Sequence, residues 1–308
     1  MLQMARLRYP ADRWALAVLG GVTLAPAIAW QIGDDRWLLQ ALAVFALCGL
    51  TYIVGCIQHN QAHIPMWTSH AANTVTDWWL TVLRGDGPWS WVETHVRNHH
   101  HYANHIGDDT LTWRFGEENN IREVVLYTLW GLQAYVRRCL AHLFQLARRN
   151  RTKRLLRILV GHALHLGVLA ILVQISGVKT ILYVVLPQLC GILTMISTGF
   201  FQHHLTDEDD PINSGRNFVG PITNFFHFNH GFHTVHHLDS SLHWTEWPAA
   251  HRRIEARMDE SLKVKNLYRY VFETVVLGNF LPSRKTRALR QHDIPEAREE
   301  KILLESDQ

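Results

Sequence analysis

Histidine is the residue type whose number and spacing in this sequence could do chemistry. The chain has 21 histidines, and most of them lie in three short regions, 59–70, 95–105 and 203–243. Imidazole is a common metal ligand, and its charge changes near neutral pH. Single histidines are ordinary core or surface residues, so it is the clustering that favours a metal site.

The first cluster is the sequence HNQAH, which begins at His59 and ends at His63. On a helix, positions i and i+4 lie on one face, so both imidazoles could bind one metal ion. Residue 60 is Asn rather than Glu. The H-E-x-x-H pattern of zinc proteases, with its general-base carboxylate, is therefore absent.

The second cluster is HVRNHHH, from His95 to His101. His95 and His99 again have the i, i+4 spacing, and His100 lies about 100° further round a helix. Adjacent histidines can therefore face two different metal ions. His101 could replace His100 if the helix ends early.

The third cluster is HTVHH, in which spacings of three and four bring His233 together with His236 and His237. The three clusters offer more histidines than the four ligands of a tetrahedral zinc site, so the sequence predicts two metal ions. Imidazole also suits zinc, copper and nickel, so the ligand type alone does not select iron.

Four apolar stretches are predicted to position these clusters as membrane-spanning helices. They run over about 14–30, 37–57, 155–175 and 181–201, close to the ~20 residues that cross a bilayer. Short turns pair them into two hairpins, which argues against both a soluble protein and a cleaved signal peptide over the first stretch. Residues 58–154 and 202–283 would form a helical cap, and residues 284–308 a polar tail.

Positive charge predicts the orientation of these spans. Lysine and arginine are concentrated between Arg137 and Arg157 and in the N-terminal arm, and the two hairpin turns hold almost none. The termini and all three histidine clusters should therefore be cytoplasmic. The formal net charge of only +3 gives little support for a nucleic-acid partner.

These motifs resemble those of the integral-membrane fatty acid desaturase and hydroxylase superfamily. The matching sequences are HNQAH, HVRNHH and GFHTVHH, with two spans before the last of them. The resemblance covers roughly residues 37–251, and residues 213–251 are most similar to bacterial members of the desaturase branch. It implies a single all-α integral membrane domain, with four spans in the bacterial inner membrane and a helical cytoplasmic cap that holds two iron ions.

The resemblance also implies the metal ligands. By box position they are His59, His63, His95, His99, His100, His233, His236 and His237. Desaturases have a further histidine ligand just after the fourth span, which matches His203 or His204 here, with a preference for His204. Ligating imidazoles usually donate their other N–H to an oxygen. Candidate oxygen partners are Glu93, Asp108, Asp109, Asp207 and Asn229.

The function implied is an oxidoreductase that uses dioxygen to introduce a double bond into the acyl chain of a lipid, with no catalytic residue beyond the metal site. A hydroxylase or ketolase acting on a fatty acyl chain, a carotenoid or another lipid is the alternative within the superfamily. A histidine-rich metal transporter or sensor is the alternative of another class. Its ligands would lie inside the spans, where only His162 and His165 occur.

Electrons are expected to come from a separate protein. The sequence has no Cys-based iron–sulfur motif, no Rossmann glycine motif and no fused haem domain. The expected donor is a ferredoxin, or a cytochrome with its reductase, and the basic segment from Arg137 to Arg157 could dock an acidic donor.

Overall fold

The structure is a computed structural model that describes residues 5–290. Across this range nearly all regular structure is helical, and β-structure is limited to one pair of two-residue strands and an isolated bridge between Leu7 and Trp67. The chain therefore has the predicted helical architecture. Residues 291–308, which contain most of the predicted polar tail, lie outside the described residues.

The first half of the chain forms six α-helices. They are α1 (Asp12–Ala29), α2 (Trp37–His63), α3 (His70–Arg84), α4 (Pro88–Trp91), α5 (His100–Tyr102) and α6 (Ile121–Arg148). A π-helical segment, Val92–His99, joins α4 to α5, and a 3-10 turn spans Thr112–Phe115.

The second half adds shorter elements after two long helices. They are α7 (Thr152–Thr180), α8 (Leu186–His203), α9 (Pro221–Phe226), α10 (His233–Leu238), α11 (Trp247–Ile254) and α12 (Leu267–Tyr270). π-Helical turns occupy Ile181–Val185 and Val271–Val276, and 3-10 turns occupy Glu255–Arg257, Glu260–Leu262, Leu277–Asn279 and Pro282–Arg284. Strands β1 (Asn217–Phe218) and β2 (Lys263–Val264) pair in parallel.

Two of the helical stretches are long and apolar enough to cross a membrane, Trp37–His63 and Thr152–His203. The second has 52 residues, which as one straight helix would measure about 78 Å against a hydrocarbon core of about 30 Å. It is interrupted at Ser176, whose φ of −162° and ψ of 107° are not helical. This break lies at the predicted turn between the third and fourth spans. The first predicted span forms α1, which does not meet the same length and hydropathy test.

The chain divides into two units. The first comprises the described residues up to Val92 together with Cys139–Met195, and the second comprises Glu93–Arg138 together with the described residues from Ile196 onward.

In the first unit, the two predicted hairpin turns lie side by side. The Nζ of Lys179 donates to the carbonyl oxygens of Trp30, at 2.9 Å, and Ile32, at 3.2 Å. Asp34 lies 3.4 Å from the same ammonium. The ring of Trp30 also contacts the buried ring of Tyr183, with centroids 6.4 Å apart. Two carbonyl groups of the turn after α1 thus accept from a side chain of the second predicted turn.

Helix α3 has clear signals at both ends. The hydroxyl of Ser69 accepts from the N–H of Ala72, and Gly85 ends the helix with a φ of +87°, a conformation that glycine adopts without strain. The helix packs on α7, where Nε1 of Trp78 donates to the carbonyl oxygen of Arg157 at 2.8 Å.

In the second unit, an aromatic core supports the segment before the third histidine cluster. Its buried members are Tyr127, Phe200, Phe201, Phe218, Leu267, Tyr270 and Val275. Gly231 lies against β1, where a Cβ would come within 2.1 Å of the carbonyl oxygen of Phe218. Only glycine allows this close approach, which leads the chain into α10.

Candidate metal centre

The second histidine cluster lies on a π-helix rather than an α-helix. In a π-helix the backbone hydrogen bonds join residues five apart, and such segments are frequent at functional sites. The Nε2 atoms of His95 and His100, which are five residues apart, lie 3.0 Å from each other. In an α-helix these positions would be about 140° apart. The expected pairing of His95 with His99 is therefore replaced by a pairing of His95 with His100.

His236, from α10, completes a group of three in the second unit. Its Nε2 lies 2.9 Å from Nε2 of His100 and 3.4 Å from Nε2 of His95. The ring of Trp247 packs against His236, with centroids 4.9 Å apart. Three imidazole nitrogens thus converge from two separate segments of the chain.

Four other histidines of the second unit form a second group, His99, His203, His233 and His237. The Nε2 of His203 lies at its centre, 3.0 Å from that of His99, 2.6 Å from that of His233 and 3.2 Å from that of His237. The sequence neighbours His99 and His100 therefore belong to different groups, and so do His236 and His237. Both groups have a composition that could hold a metal ion.

The partners of the Nδ1 atoms show which nitrogens face inward with a lone pair. Nδ1 of His203 lies 2.9 Å from the carbonyl oxygen of Ser214, which can only accept. Nδ1 of His99 lies 2.8 Å from Oδ2 of Asp108, and an ionised carboxylate also only accepts. Each Nδ1–H can therefore donate to an oxygen, which points the two Nε2 atoms at each other at 3.0 Å. A cation bound by both nitrogens would satisfy this arrangement.

The spacing of the nitrogens fits such a cation. Metal–imidazole bonds of about 2.0–2.1 Å place two ligand nitrogens about 3.0 Å apart at a right angle and about 3.4 Å apart at a tetrahedral angle. The contacting Nε2 pairs of the two groups lie 2.6 to 3.4 Å apart, and the four ligand nitrogens of the second group all lie within 4.8 Å of one another. The donor set suits iron, zinc, copper or nickel.

The charges around the four-histidine group favour the states that bind metal. Burial, with a contribution from the neighbouring imidazoles, holds the pKa of His233 well below its usual 6.5, so its ring stays neutral. Burial alone would raise the pKa of Asp108. The attraction of His99 and hydrogen bonds from Thr110 outweigh it and lower that pKa to about 2. The carboxylate therefore stays ionised.

Of the five predicted oxygen partners, Asp108 contacts a clustered histidine, His99, at 2.8 Å. Glu93 accepts from Arg97 at 2.8 Å, and Asp109 pairs with Arg137 and Arg138. The amide nitrogen of Asn229 donates to the carbonyl oxygen of Trp244 at 2.9 Å. Oδ1 of Asp207 accepts from the N–H of Asp209 at 3.2 Å.

Sequence reasoning missed two partners of this group. The carbonyl oxygen of Ser214 orients His203, and Oγ1 of Thr110 lies 2.7 Å from Asp108 and 3.4 Å from Nδ1 of His99. A backbone carbonyl has no signature in a sequence. For Thr110, the only signal in the sequence was its position two residues after Asp108.

His203, rather than the preferred His204, lies in the group. The ring of His204 stacks on Phe200, with centroids 4.2 Å apart, and its Nε2 lies 3.5 Å from Oε2 of Glu123. The geometry therefore makes His203 the ligand that we propose at this position. His101 is exposed and packs on the ring of Tyr102, so His100 takes the position for which His101 was the alternative.

His59 and His63 lie in the first unit, near the end of α2. Their ring centroids are 4.8 Å apart, as expected for positions i and i+4 on one helix face. His59 is fully buried, and Trp91 meets its ring edge-on at 5.3 Å.

These observations define a helical protein of membrane type with clustered histidines that could bind metal. The profile of the fatty acid desaturase family matches residues 35–269, which include all three histidine clusters. The chain belongs to the fatty acid desaturase family. No curated protein and no solved structure matches it.

Proposed function

We propose that this protein is an oxygen-dependent di-iron desaturase that introduces a double bond into the acyl chain of a lipid. One observation carries the proposal: the Nε2 atoms of His99 and His203 face each other at 3.0 Å while both Nδ1 atoms are held by oxygen acceptors. Membership of the fatty acid desaturase family supports a lipid substrate and an oxidoreductase reaction.

The proposed ligands form two sets. The first iron would be held by His95, His100 and His236. His59 and His63 of the first unit are proposed as further ligands from their box position alone. The second would be held by His99, His203, His233 and His237. When bound, the iron pair would supply the reduction of dioxygen and the oxidation of the carbon–hydrogen bond.

The protein's own residues orient two of these ligands. Asp108 and the carbonyl oxygen of Ser214 each accept the Nδ1–H of one ligand, which aims its Nε2 inward. Seven of the nine proposed ligands come from segments far apart in the sequence, so their convergence depends on the aromatic core and on Gly231.

The proposed topology has four spans and a cytoplasmic histidine centre. The contact between Lys179 and the turn after α1 supports it, because hairpins whose turns lie on one side of the membrane can bring those turns together. The concentration of arginine and lysine between Arg137 and Arg157 supports the cytoplasmic side for the opposite ends.

An arginine-lined cavity of the second unit is the proposed docking point for an acidic electron donor. Its volume is about 480 Å³. Four guanidinium groups line it, from Arg97, Arg114, Arg137 and Arg138. Asp108, the partner of His99, forms part of its wall. Asp109 also lines the cavity and pairs with Arg137 and Arg138, so four cations face two carboxylates. A carboxylate of a ferredoxin or cytochrome that entered the cavity would meet a net positive charge, and Asp108 and His99 would connect the cavity wall to the proposed iron.

The test is the product made by a host that expresses the chain. Lipids from this host are compared with those from a host that makes His203→Ala. An alkene, two hydrogens lighter than the parent lipid, is expected only with the unaltered chain. A product that only gains an oxygen atom would replace desaturation by hydroxylation or ketone formation at the same ligands.

Metal analysis tests the enzyme against a transporter or sensor. We expect about two tightly bound iron ions per chain, because two separate histidine sets are proposed. Exchangeable zinc in place of iron would contradict the enzyme and favour the other class.

A further inference from the structure

The first unit contains a cavity of about 580 Å³, within the usual range of small-molecule sites. Its walls come from the end of α2, from α3 and α4, and from the start of α7. Apolar atoms provide most of its lining surface, and half of the lining residues are apolar or aromatic, among them Trp78, Trp89, Val92, Ile158 and Pro88. The lining suits an acyl chain more than a soluble metabolite.

One side of this cavity is cationic. Lys153, Arg154 and Arg157 line it, together with His70. Asp77 is the only carboxylate in the lining, so three cations face one anion. Arg157 pairs with Asp77 and lies 3.2 Å from Nε2 of His70. The charge of Asp77 is therefore already engaged, whereas Lys153 and Arg154 are exposed at the start of α7.

Gly161 keeps this cavity open. A Cβ at residue 161 would lie 2.9 Å from Cδ1 of Trp78 and 3.4 Å from Oγ1 of Thr81. Trp78 cannot move away easily, because its Nε1 donates to the carbonyl oxygen of Arg157. Any larger side chain at residue 161 would therefore project into the space between Trp78 and α7.

The cavity lies against the back of the first histidine box. Gln61 and Ala62 line it, and on a helix Gln61 is about 160° away from both His59 and His63. The Nε2 of Gln61 donates to Oδ1 of Asp77 at 3.0 Å. A ligand in the cavity would thus contact the box helix without competing for its imidazoles.

We propose that this cavity binds an anionic lipid, with its carboxylate or phosphate at Lys153, Arg154 and Arg157 and the adjoining part of its chain between Trp78 and Trp89. The cations supply the attraction for an anionic headgroup, and the aromatic walls supply the apolar contact. The site is argued from the first unit alone, so it stands apart from the proposed oxidation.

Direct binding to the purified full-length protein in a neutral detergent tests the site, with no turnover required. The probes are oleate and dioleoyl phosphatidylglycerol, compared with dioleoyl phosphatidylcholine and with inorganic phosphate, and native mass spectrometry counts the bound molecules. We expect one oleate or phosphatidylglycerol per chain to be retained at concentrations where phosphatidylcholine and phosphate are not. Equal retention of phosphatidylcholine would contradict the preference for an anionic headgroup. Displacement of the lipid by equimolar phosphate would contradict the contribution of its acyl chain.

The shape of the cavity is tested by a pair of glycine variants on one helix. Gly161→Val fills the cavity, whereas Gly167→Val adds the same side chain where a Cβ meets nothing within 4 Å. We expect Gly161→Val to lose at least tenfold in affinity for the anionic lipid and Gly167→Val to retain it. Equal affinities in the two variants would show lipid binding on the outer surface only and overturn the site.

A charge variant keeps the test decisive if Gly161→Val does not fold. Replacing Lys153 and Arg154 together by Gln should weaken binding about fivefold for each charge removed. The matched control replaces Arg149 and Arg151 by Gln, which removes two exposed charges from the same segment outside the cavity lining. The same loss in both double variants would reduce the effect to general surface charge and contradict the site.

Discussion

The Oδ2 oxygen of Asp108 lies 2.8 Å from Nδ1 of His99, and the carboxylate is almost completely buried. Its other oxygen accepts from the N–H and the hydroxyl of Thr110, at 2.8 and 2.7 Å. The N–H of Asn104 donates to Oδ2 at 3.0 Å. Because four donors surround it, the carboxylate is fixed in one position and imposes one tautomer on His99.

Asp108→Asn should therefore weaken metal binding. An amide can present its NH2 to Nδ1 of His99, which would move the ring proton to Nε2 and block the ligand. Losses of about 10- to 100-fold in metal affinity are typical when such a partner is removed. Iron retained after incubation with a graded series of chelators measures the effect. Asp109→Asn is the control, since Asp109 pairs with Arg137 and Arg138 instead, and equal retention of iron in the two variants would contradict the role of Asp108.

The adjacent residues His203 and His204 should behave differently when each is replaced by Ala. His203→Ala removes the nitrogen at the centre of the four-histidine group, so we expect loss of one of the two irons and of activity. His204→Ala removes a ring that stacks on Phe200 and faces Glu123, so we expect reduced thermal stability with both irons retained. Iron content together with the melting temperature distinguishes the two. Loss of iron in His204→Ala, with His203→Ala unaffected, would reverse the assignment.

The histidine boxes were predictable because helical periodicity is local. HNQAH needs only one turn of helix to bring two rings together, and α2 supplies it at His59 and His63. The choice between His203 and His204 was not predictable, because consecutive residues at a helix end differ by about 100° in direction. It depends on Glu123, which lies 81 positions earlier in the sequence and meets His204 only after folding.

The pairing within the second box was also beyond the sequence. An α-helix would place His95 with His99, whereas the π-helix places His95 with His100. The extra residue in each π-helical turn costs local stability and is kept where tertiary contacts require it. Here the tertiary contact is made by His236 on α10. No local pattern in the sequence predicts that contact. The family and the helical class, by contrast, followed from motifs and hydropathy alone.

Removing the positive charge from the arginine-lined cavity should affect donor-supported turnover more than turnover with a chemical reductant. We expect Arg97→Gln together with Arg137→Gln to raise the KM for a plant-type ferredoxin about five- to tenfold, as expected for the loss of two charged contacts. Single turnover with dithionite should be unchanged, because it needs no docking. Arg122→Gln, an exposed arginine outside the cavity lining, is the control. An unchanged ferredoxin KM in the double variant would place the donor elsewhere.

His227 should make the protein less stable in mild acid. Burial lowers its pKa from 6.5 to about 4, and its Nε2 lies 3.2 Å from the hydroxyl of Tyr268. Between these values the unfolded chain binds a proton at this residue and the folded protein does not. The free energy of unfolding therefore falls as the pH falls from about 6.5 toward 4, by an amount on the order of 1–3 kcal/mol.

The measurement is the melting temperature of the purified protein between pH 7.5 and pH 5. The decline should be shallower in His227→Gln, which cannot titrate and still offers an acceptor to Tyr268. His101→Gln, a change at an exposed histidine, should leave the slope as it is in the unaltered chain. Parallel slopes for His227→Gln and the unaltered chain would assign the acid sensitivity to other groups.

The contact of Lys179 with the turn after α1 has a consequence for the order in which the chain assembles. The carbonyl oxygens of Trp30 and Ile32 emerge from the ribosome about 150 residues before the ammonium that satisfies them. In the proposed topology the turn of the first hairpin would therefore be synthesised well before the ammonium that it binds. A chain whose second hairpin failed to insert would leave this turn without its cationic partner.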